Sequence, residues 1–527
     1  MKWQIMDTSS SKPEDKKKQP LDTSMTKRML KDAVIYAPSS FVPAIISILS
    51  LVIYTRKFSP TQYGVYVLFI STINVINLVV STWIQFVILR YRAEYLNDAK
   101  IDDFNSDLIF LLSLISFFLL MVSAVGLAIF YSITGSLNNI VPFAIGYLII
   151  NAWYSNLCFV LMADLKSKKY TSFAVANACL AFLLAIAFIF AIRADISFII
   201  LGMLLSELAL AAPLVYSTGM IKARRRRIMR LKAHFKANYL PFLRKAFAYG
   251  FPMIGWLIGV ELLNVLDRYI IEAFRGSVEV GIYSPNYSLA IGVLGLVATP
   301  ISFAAHSLIM KESSLRLGNP EGTRDMIRDF SKYYLLFTIP IFVFLSLNSK
   351  DLAKFFLGEE YWGGYVIIPI VSFGYLAWNF AVYGHKGFEL KEKTKTMLFY
   401  VGICITLNVV LNLILIPLAG YKGAAVTTLI SLSLYPILVY FGSRHIFPWE
   451  IPWRSLFNII VSSTCMSIAI VLYRTFSPLQ SNITNLIISF CISFAVYGVA
   501  IYSLKEFKSL RLSMLKAFLG SRKHDLI

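Results

Sequence analysis

The chain has 527 residues, 57% of them hydrophobic and 15% charged, with 50 Lys plus Arg against 29 Asp plus Glu for a formal net charge of +21. A soluble chain carries about a quarter charged residues, so this composition excludes an ordinary soluble protein and marks an integral membrane protein. So much basic charge would suggest nucleic acid in a soluble chain, but here it is spread over short gaps between apolar stretches, and no nucleic-acid partner is expected.

Residues 1–33 are expected to be a cytoplasmic tail, whose first 26 residues, with the polar run SSSKPEDKKKQP, predict no ordered structure. No cleavable signal peptide is expected, because no apolar core followed by a small-residue cleavage site is seen before the first apolar stretch. Fourteen apolar stretches follow, at 34–55, 65–89, 108–131, 140–163, 172–192, 197–218, 247–271, 282–309, 333–348, 366–388, 397–417, 423–442, 455–473 and 484–503. Most reach the ~20 residues that cross a hydrocarbon core, and only helices satisfy their own backbone over such a length. The ninth is the weakest, because Pro340 interrupts a short run. Counting Lys386 with the gap it borders, 41 of the Lys and Arg lie at the two ends and in the even-numbered gaps, against 8 in the odd-numbered gaps. Basic residues stay cytoplasmic during insertion, so both termini are expected on that side.

The longest cytoplasmic gap, 219–246, carries Arg224, Arg225, Arg226 and Arg227 and separates six helices from eight. A weak repeat crosses it: Tyr36 and Pro38 echo Tyr249 and Pro252, while Phe58, Gly64 and Tyr66 echo Phe274, Gly281 and Tyr283. The expected fold is an all-α polytopic membrane protein of about 14 transmembrane helices. Two pseudosymmetric six-helix bundles, 34–218 and 247–442, surround a central cavity, and two C-terminal helices follow at 455–503. The tail 504–527 includes a basic amphipathic segment from Leu510, expected on the membrane surface or docked on the cytoplasmic loops.

Ionisable groups at bilayer depth are costly and normally face protein or water. In the seventh stretch Glu261, Asn264 and Arg268 share one face at i, i+3 and i+7, while Asp267 points toward a neighbouring helix as a structural pair or gate. The sixth adds Glu207. One reading makes these groups structural pairs between helices. The other places Arg268 against a substrate anion and has Glu261 or Glu207 change protonation during a transport cycle. Other polar groups also align: Asn74, Asn77, Ser81 and Gln85 in the second helix; Tyr375, Asn379, Tyr383 and, at its end, Lys386 in the tenth; Asn408 and Asn412 in the eleventh. A single Asn is ordinarily interhelical glue, whereas such stripes suit a wet cavity that receives sugar hydroxyls and rings.

No catalytic constellation is found. The chain has no GxxxxGK[ST] pattern, so no ATP site is expected. The five cysteines, Cys158, Cys179, Cys404, Cys465 and Cys491, lack CxxC spacing and read as small buried apolar residues. His306 stands alone in the eighth helix, and His385 with Glu389 reads as a solvated helix end rather than a zinc site. No cofactor and no metal are expected.

At these residues a family resemblance enters. YGFPMIGWLIGVELLNVLDRYIIEAFRGSVEVGIYSPNYSLA, 249–290, resembles the seventh and eighth helices of bacterial polysaccharide-unit flippases, and LIPLAGYKGAAVTTLIS, 415–431, their eleventh and twelfth. RKFSPTQYGVYVLF, 56–69, is similar to their first external turn, and GHKGFELKEKTK, 384–395, to the end of their tenth helix. The likeness covers about residues 30–445. It implies membership of the multidrug, oligosaccharidyl-lipid and polysaccharide exporter superfamily, two bundles in a V working by alternating access. It also implies that an undecaprenyl-diphosphate-linked oligosaccharide, the repeat unit of an O-antigen, capsule or exopolysaccharide, is moved across the bacterial inner membrane, with protons or sodium as the expected drive. Membrane lipids and other polysaccharide assembly proteins are the implied partners. Asp267 and Arg268, in the LDRYI segment, are the positions carried over from the family.

Three rivals fit less well. Drug exporters of the superfamily usually stop at twelve helices and often place an acidic residue in the first, where none occurs here between Ala33 and Thr55. Lipid II flippases have fourteen helices, but their first-helix arginine has no match before Arg56. A glycan polymerase or ligase would need a substantial external catalytic loop; the longest external gap, 349–365, has no His and two basic residues.

Overall fold

The computed structural model describes residues 23–97, 101–134, 140–220, 240–315, 320–476 and 482–506. The start of the N-terminal tail, Arg224 to Arg227 and the amphipathic segment from Leu510 lie outside the described residues. Among the described residues the regular structure is helical throughout. The long helices are α1 (Thr23–Lys57), α2 (Pro60–Asn77, continued by Trp83–Asn97), α3 (Ile101–Thr134), α4 (Ile140–Ala163), α5 (Ser167–Ala191), α6 (Ser197–Thr218) and α7 (Leu240–Met253 and Gly255–Arg275). The chain continues through α8 (Ser277–Leu315), α9 (Pro320–Leu347), α10 (Ile367–Gly384), α11 (Thr394–Ala419), α12 (Tyr421–Ser443), α13 (Trp453–Phe476) and α14 (Asn482–Ser503).

Thirteen helices among the described residues are long and apolar enough to cross a membrane. The remaining one is α7, whose second segment holds Glu261, Asp267, Arg268, Glu272 and Arg275. It crosses nonetheless. At its start Phe242 packs edge-on against Phe104 beside α3, and at its end Arg275 Nη2 donates to the Pro417 carbonyl at 2.6 Å.

The charged gaps sort onto two faces as fourteen crossings require. Arg92 reaches Asp164, Arg324 and Arg328 reach Glu450, and Lys332 pairs with Glu506, all joining even-numbered gaps or ends. On the opposite face Arg56 donates to the Phe355 carbonyl, Tyr421 N to Glu279, and Arg474 pairs with Asp351, all joining odd-numbered gaps. We refer to these as the basic face and the opposite face.

The weak ninth stretch becomes a helix of 28 residues, Pro320–Leu347, which starts well before the expected residue 333. Pro340 sits inside it and has no N–H for the Leu336 carbonyl one turn back. The Tyr497 hydroxyl of α14 donates to that carbonyl at 2.7 Å. A proline is tolerated within a span when a neighbouring helix satisfies the freed group, so α14 completes the backbone of α9.

Helix pairing repeats six helices on. In the first half α1 packs on α5, α2 on α4, α4 on α6 and α5 on α6; in the second α7 packs on α11, α8 on α10, α10 on α12 and α11 on α12. The two bundles meet chiefly where α2 crosses α8, and α13 packs outside them on α9. At the opposite face the seam is close. A Cβ on Gly64 would strike the Ser277 carbonyl, and one on Gly281 the Pro60 carbonyl. Tyr361 Oη donates to the Phe58 carbonyl at 2.6 Å, and Gly358 N to Thr55 Oγ1 at 3.1 Å. The gap 349–365 is thus two short helical pieces, Ser349–Phe356 and Glu359–Val366, packed onto the first external turn.

Candidate functional site

The second segment of α7 starts afresh at Gly255, after a break at Ile254, and meets the first half where Tyr269 Oη lies 2.7 Å from Thr72 Oγ1 of α2. Arg268 is 8% exposed. Its Nη1 donates to the Asn264 carbonyl one turn back, and the guanidinium lies 5.0 Å from the Tyr287 ring centroid on α8. Its buried Nε has no hydrogen-bond partner, and among the described residues Arg268 has no ion-pair partner. Tyr287 Oη donates to Asn264 Oδ1 at 3.2 Å, fixing that amide beside the cation. Glu261, half-buried two turns back, is near enough to act on Arg268 electrostatically, as is Tyr63 of α2 from the other bundle. A buried arginine without a paired carboxylate is costly unless another anion meets it. A phosphate or acidic sugar offers that anion.

Asp267 turns away from this face. Fully buried, it accepts from the Tyr283 hydroxyl of α8 and from the backbone N–H of Arg268 at 2.8 Å. It ties α7 to α8, and its charge acts on the neighbouring guanidinium through space without an ion pair.

In the first bundle a second polar chain runs through Asn151 of α4. Asn151 Nδ2 donates to Glu207 Oε1 at 2.8 Å, and Asn77 Nδ2 donates to Asn151 Oδ1 at 2.9 Å. Glu207 is 1% exposed, and among the described residues its Oε2 has no hydrogen-bond partner within bonding distance. A carboxyl with one oxygen unpaired at that depth can hold a proton or face a cation.

The polar stripes are distributed differently from the expected alignment. In α2 a π segment, Leu78–Thr82, adds a residue to one turn and rotates the rest of the helix. Asn77 and Ser81 face α4, with Ser81 Oγ accepting from Asn156 Nδ2 at 2.6 Å. Asn74 is exposed and Gln85 half-buried, and among the described residues neither makes a side-chain hydrogen bond. In α10, Asn379 Nδ2 donates to the Tyr375 carbonyl at 2.9 Å, and Tyr383 Oη lies 3.3 Å from Ser302 Oγ of α8. Lys386 is off that stripe, because α10 ends at Gly384 and a short helix, Lys386–Leu390, begins. Asn408 and Asn412 bond to each other at 2.9 Å, and Thr427 of α12 donates to Asn412.

Three sequence readings are corrected. His306 is not alone: its Nδ1 lies 3.0 Å from Lys386 Nζ, which also bonds both Glu389 oxygens at 2.8 Å. His385 is not at a solvated helix end; it is 2% exposed, 3.1 Å from Glu389 through Nε2 and 3.0 Å from Tyr435 Oη through Nδ1. Of the cysteines Cys158 and Cys404 are buried, but Cys465 and Cys491 are exposed on α13 and α14, the helices outside the two bundles. Among the described residues no group of His, Cys, Asp and Glu could hold a metal.

Arg92 also proves more than a topological charge. It is 2% exposed, 2.5 Å from Asp164 through Nε, and donates to Asn105 at 2.8 Å. Burial opposes ionisation of Asp164, but the bonds from Arg92 and Lys166 outweigh it and hold the carboxyl below its usual range. These partners are far apart in the chain and share no motif, so the sequence carries no signal of them.

Comparison with known proteins adds family and fold. Residues 29–306 match the family described as polysaccharide biosynthesis protein. An uncharacterised membrane protein of Methanocaldococcus jannaschii is 22% identical over 432 residues, covering 77% of this chain and 82% of its own length. The lipid II flippase MurJ, in an inward closed conformation, superposes with a TM-score of 0.71 at 17% identity over 90% of this chain and 99% of its own. An inward-facing multidrug resistance transporter of the MATE family, in the MOP superfamily, superposes with a TM-score of 0.59 at 12% identity over 78% and 97%. Thus the chain shares the helical fold of these transporters.

Proposed function

The chain belongs to the polysaccharide biosynthesis protein family, and from that premise we propose that it is a flippase for an undecaprenyl-diphosphate-linked oligosaccharide repeat unit. It carries the unit from the cytoplasmic to the outer leaflet of the bacterial inner membrane by alternating access, with both termini cytoplasmic. The observation that carries this reading is Arg268, a buried cation beside Tyr63 of the other bundle that makes no ion pair among the described residues and keeps its Nε without a hydrogen bond, although Asp267 and Glu261 act on it through space. A diphosphate completes it.

Moving several sugars through hydrocarbon would strand their hydroxyls at ~2–7 kcal/mol each without hydrogen bonds. Polar groups lower that cost, with Asn264 on α7 and the half-buried Tyr375 and Asn379 on α10 offering amide and ring surface, whereas Tyr383 is fully buried against Ser302 of α8 and offers none. The exposed Asn74 and the half-buried Gln85 extend the polar surface on α2. The close crossing of α2 and α8 on the opposite face supports a reading in which the substrate enters from the basic face. Glu207 and Glu261 are the groups proposed to exchange protons, or meet sodium, as the bundles rock. The likeness to a lipid II flippase over 99% of that chain supports a second reading in which peptidoglycan precursor is the cargo; it uses the same diphosphate contact.

The reaction is tested in proteoliposomes by following the passage of a fluorescent lipid-linked oligosaccharide to the far leaflet. Transport of the glycan carrier with no transport of lipid II supports the first reading. Transport of lipid II alone transfers the assignment to the second, and glycan joining in place of transport overturns both.

A further inference from the structure

A cavity of about 760 Å³ opens sideways between α2, α3 and the first segment of α7. It falls within the ~300–1,000 Å³ of ordinary ligand sites. Nine of its ten lining residues are apolar, and the tenth is Arg244. Trp83, Leu111 and Ile115 form a buried floor, while Leu114 and Phe247 stand at the rim, 45% and 49% exposed. Along α3 the lining runs from Leu111 to Met121, about 15 Å of helix and half the thickness of a hydrocarbon core.

Arg244 lies one turn into α7, at the end that starts on the basic face. Its side chain is exposed, and among the described residues it makes no hydrogen bond or ion pair. One free cation therefore stands at the headgroup end of an apolar trough. Among the described residues no second polar group lines it, so none of them there would recognise the ester and glycerol oxygens of a phospholipid. An isoprenoid diphosphate matches it, having a branched apolar chain without polar atoms until its anionic end.

We infer that this trough is a docking site for the isoprenoid tail of the lipid-linked substrate, with Arg244 on its diphosphate. This rests on the proposed reading that the cargo is a lipid diphosphate. The site also touches the moving parts. Phe247 stacks on Phe251 at 4.7 Å and meets Trp83 edge-on, and α7 then breaks at Ile254 before the segment that bears Arg268. A seated tail would therefore press on the segment that leads to the central cation.

The test uses the purified full-length protein with undecaprenyl diphosphate carrying a diazirine in its chain, and in parallel phosphatidylglycerol carrying the same group. The isoprenoid probe should label the peptides around residues 111–121 and 243–247, compete with unlabelled undecaprenyl diphosphate, and label Arg244→Ala on the order of tenfold less. Leu114→Trp, which fills the rim, should reduce labelling as well; if that variant does not fold, Arg244→Ala carries the test because its side chain is exposed. Equal labelling by phosphatidylglycerol, no labelling in the trough, or undiminished labelling of Arg244→Ala overturns the inference. Translocation by the wild type separates the two readings. Transport without trough labelling sinks the docking site alone, and trough labelling without transport sinks the proposed function alone.

Discussion

Gly64 on α2 and Gly281 on α8 occupy equivalent places in the two repeats, and each faces the backbone of the other half. Gly64 lies against the Ser277 carbonyl and Gly281 against that of Pro60. The repeat therefore meets itself at the crossing that closes the opposite face. No side chain fits, because the neighbouring atoms are backbone.

Gly64→Ala and Gly281→Ala should each push this end apart, since overpacking costs about 1–3 kcal/mol when the backbone must move. Spin labels at Thr61 and Glu359, exposed on the two sides of the seam, report the separation. The distance should lengthen in either variant; an unchanged distance would remove the crossing from the gate.

Arg268→Ala should abolish glycan transport while the protein stays in the membrane at wild-type amount. Arg268→Lys should restore part of it, because an ammonium keeps the charge but loses the planar fork that matches phosphate. Wild-type transport by Arg268→Ala would end its proposed role.

If Glu207 or Glu261 carries the coupling proton, replacing it by Gln should flatten the pH dependence of transport, since an amide does not titrate. Proteoliposomes assayed over a pH series decide it. A profile unchanged in both variants would exclude proton coupling through these carboxyls.

Tyr497→Phe should lower thermal stability by about 1 kcal/mol, the net worth of a typical hydrogen bond, because the Leu336 carbonyl loses its donor. Pro340→Ala supplies an N–H within α9 and should erase most of that loss. A double-mutant cycle on melting temperature tests the coupling, and additive effects would contradict it.

Asp164 links pH to stability. Its carboxyl is held below the usual range in the folded chain. Its contribution is therefore full above the unfolded value of about 3.9 and is lost as pH falls through the folded value. The melting temperature of Asp164→Asn should sit below that of the wild type by a constant margin at neutral pH. That margin should shrink only below about pH 4, and a margin that changes between pH 5 and 7 would exclude this origin.

The bilayer, the fourteen crossings, the sorting of gaps onto two faces and the repeat across residues 219–246 were all legible in the residue string. These properties follow from local averages of hydrophobicity and charge, and they survive any detail of packing. The face on which Asn264 and Arg268 sit was legible too, because α7 is regular from Gly255 onward. Beyond that, register and partners decided. The π turn at Leu78–Thr82 redirected the α2 amides toward α4, and the end of α10 at Gly384 sent Lys386 to His306, 80 residues away. Tyr497 rescued a proline in another helix. Hydrogen bonds between helices depend on which distant face is brought close and how each helix is rotated, and neither quantity is written in a single segment. That is also why Asp267 and Arg268, adjacent in the chain, part company: one accepts from Tyr283 of α8, and the other lies over the Tyr287 ring with its Nε unbonded.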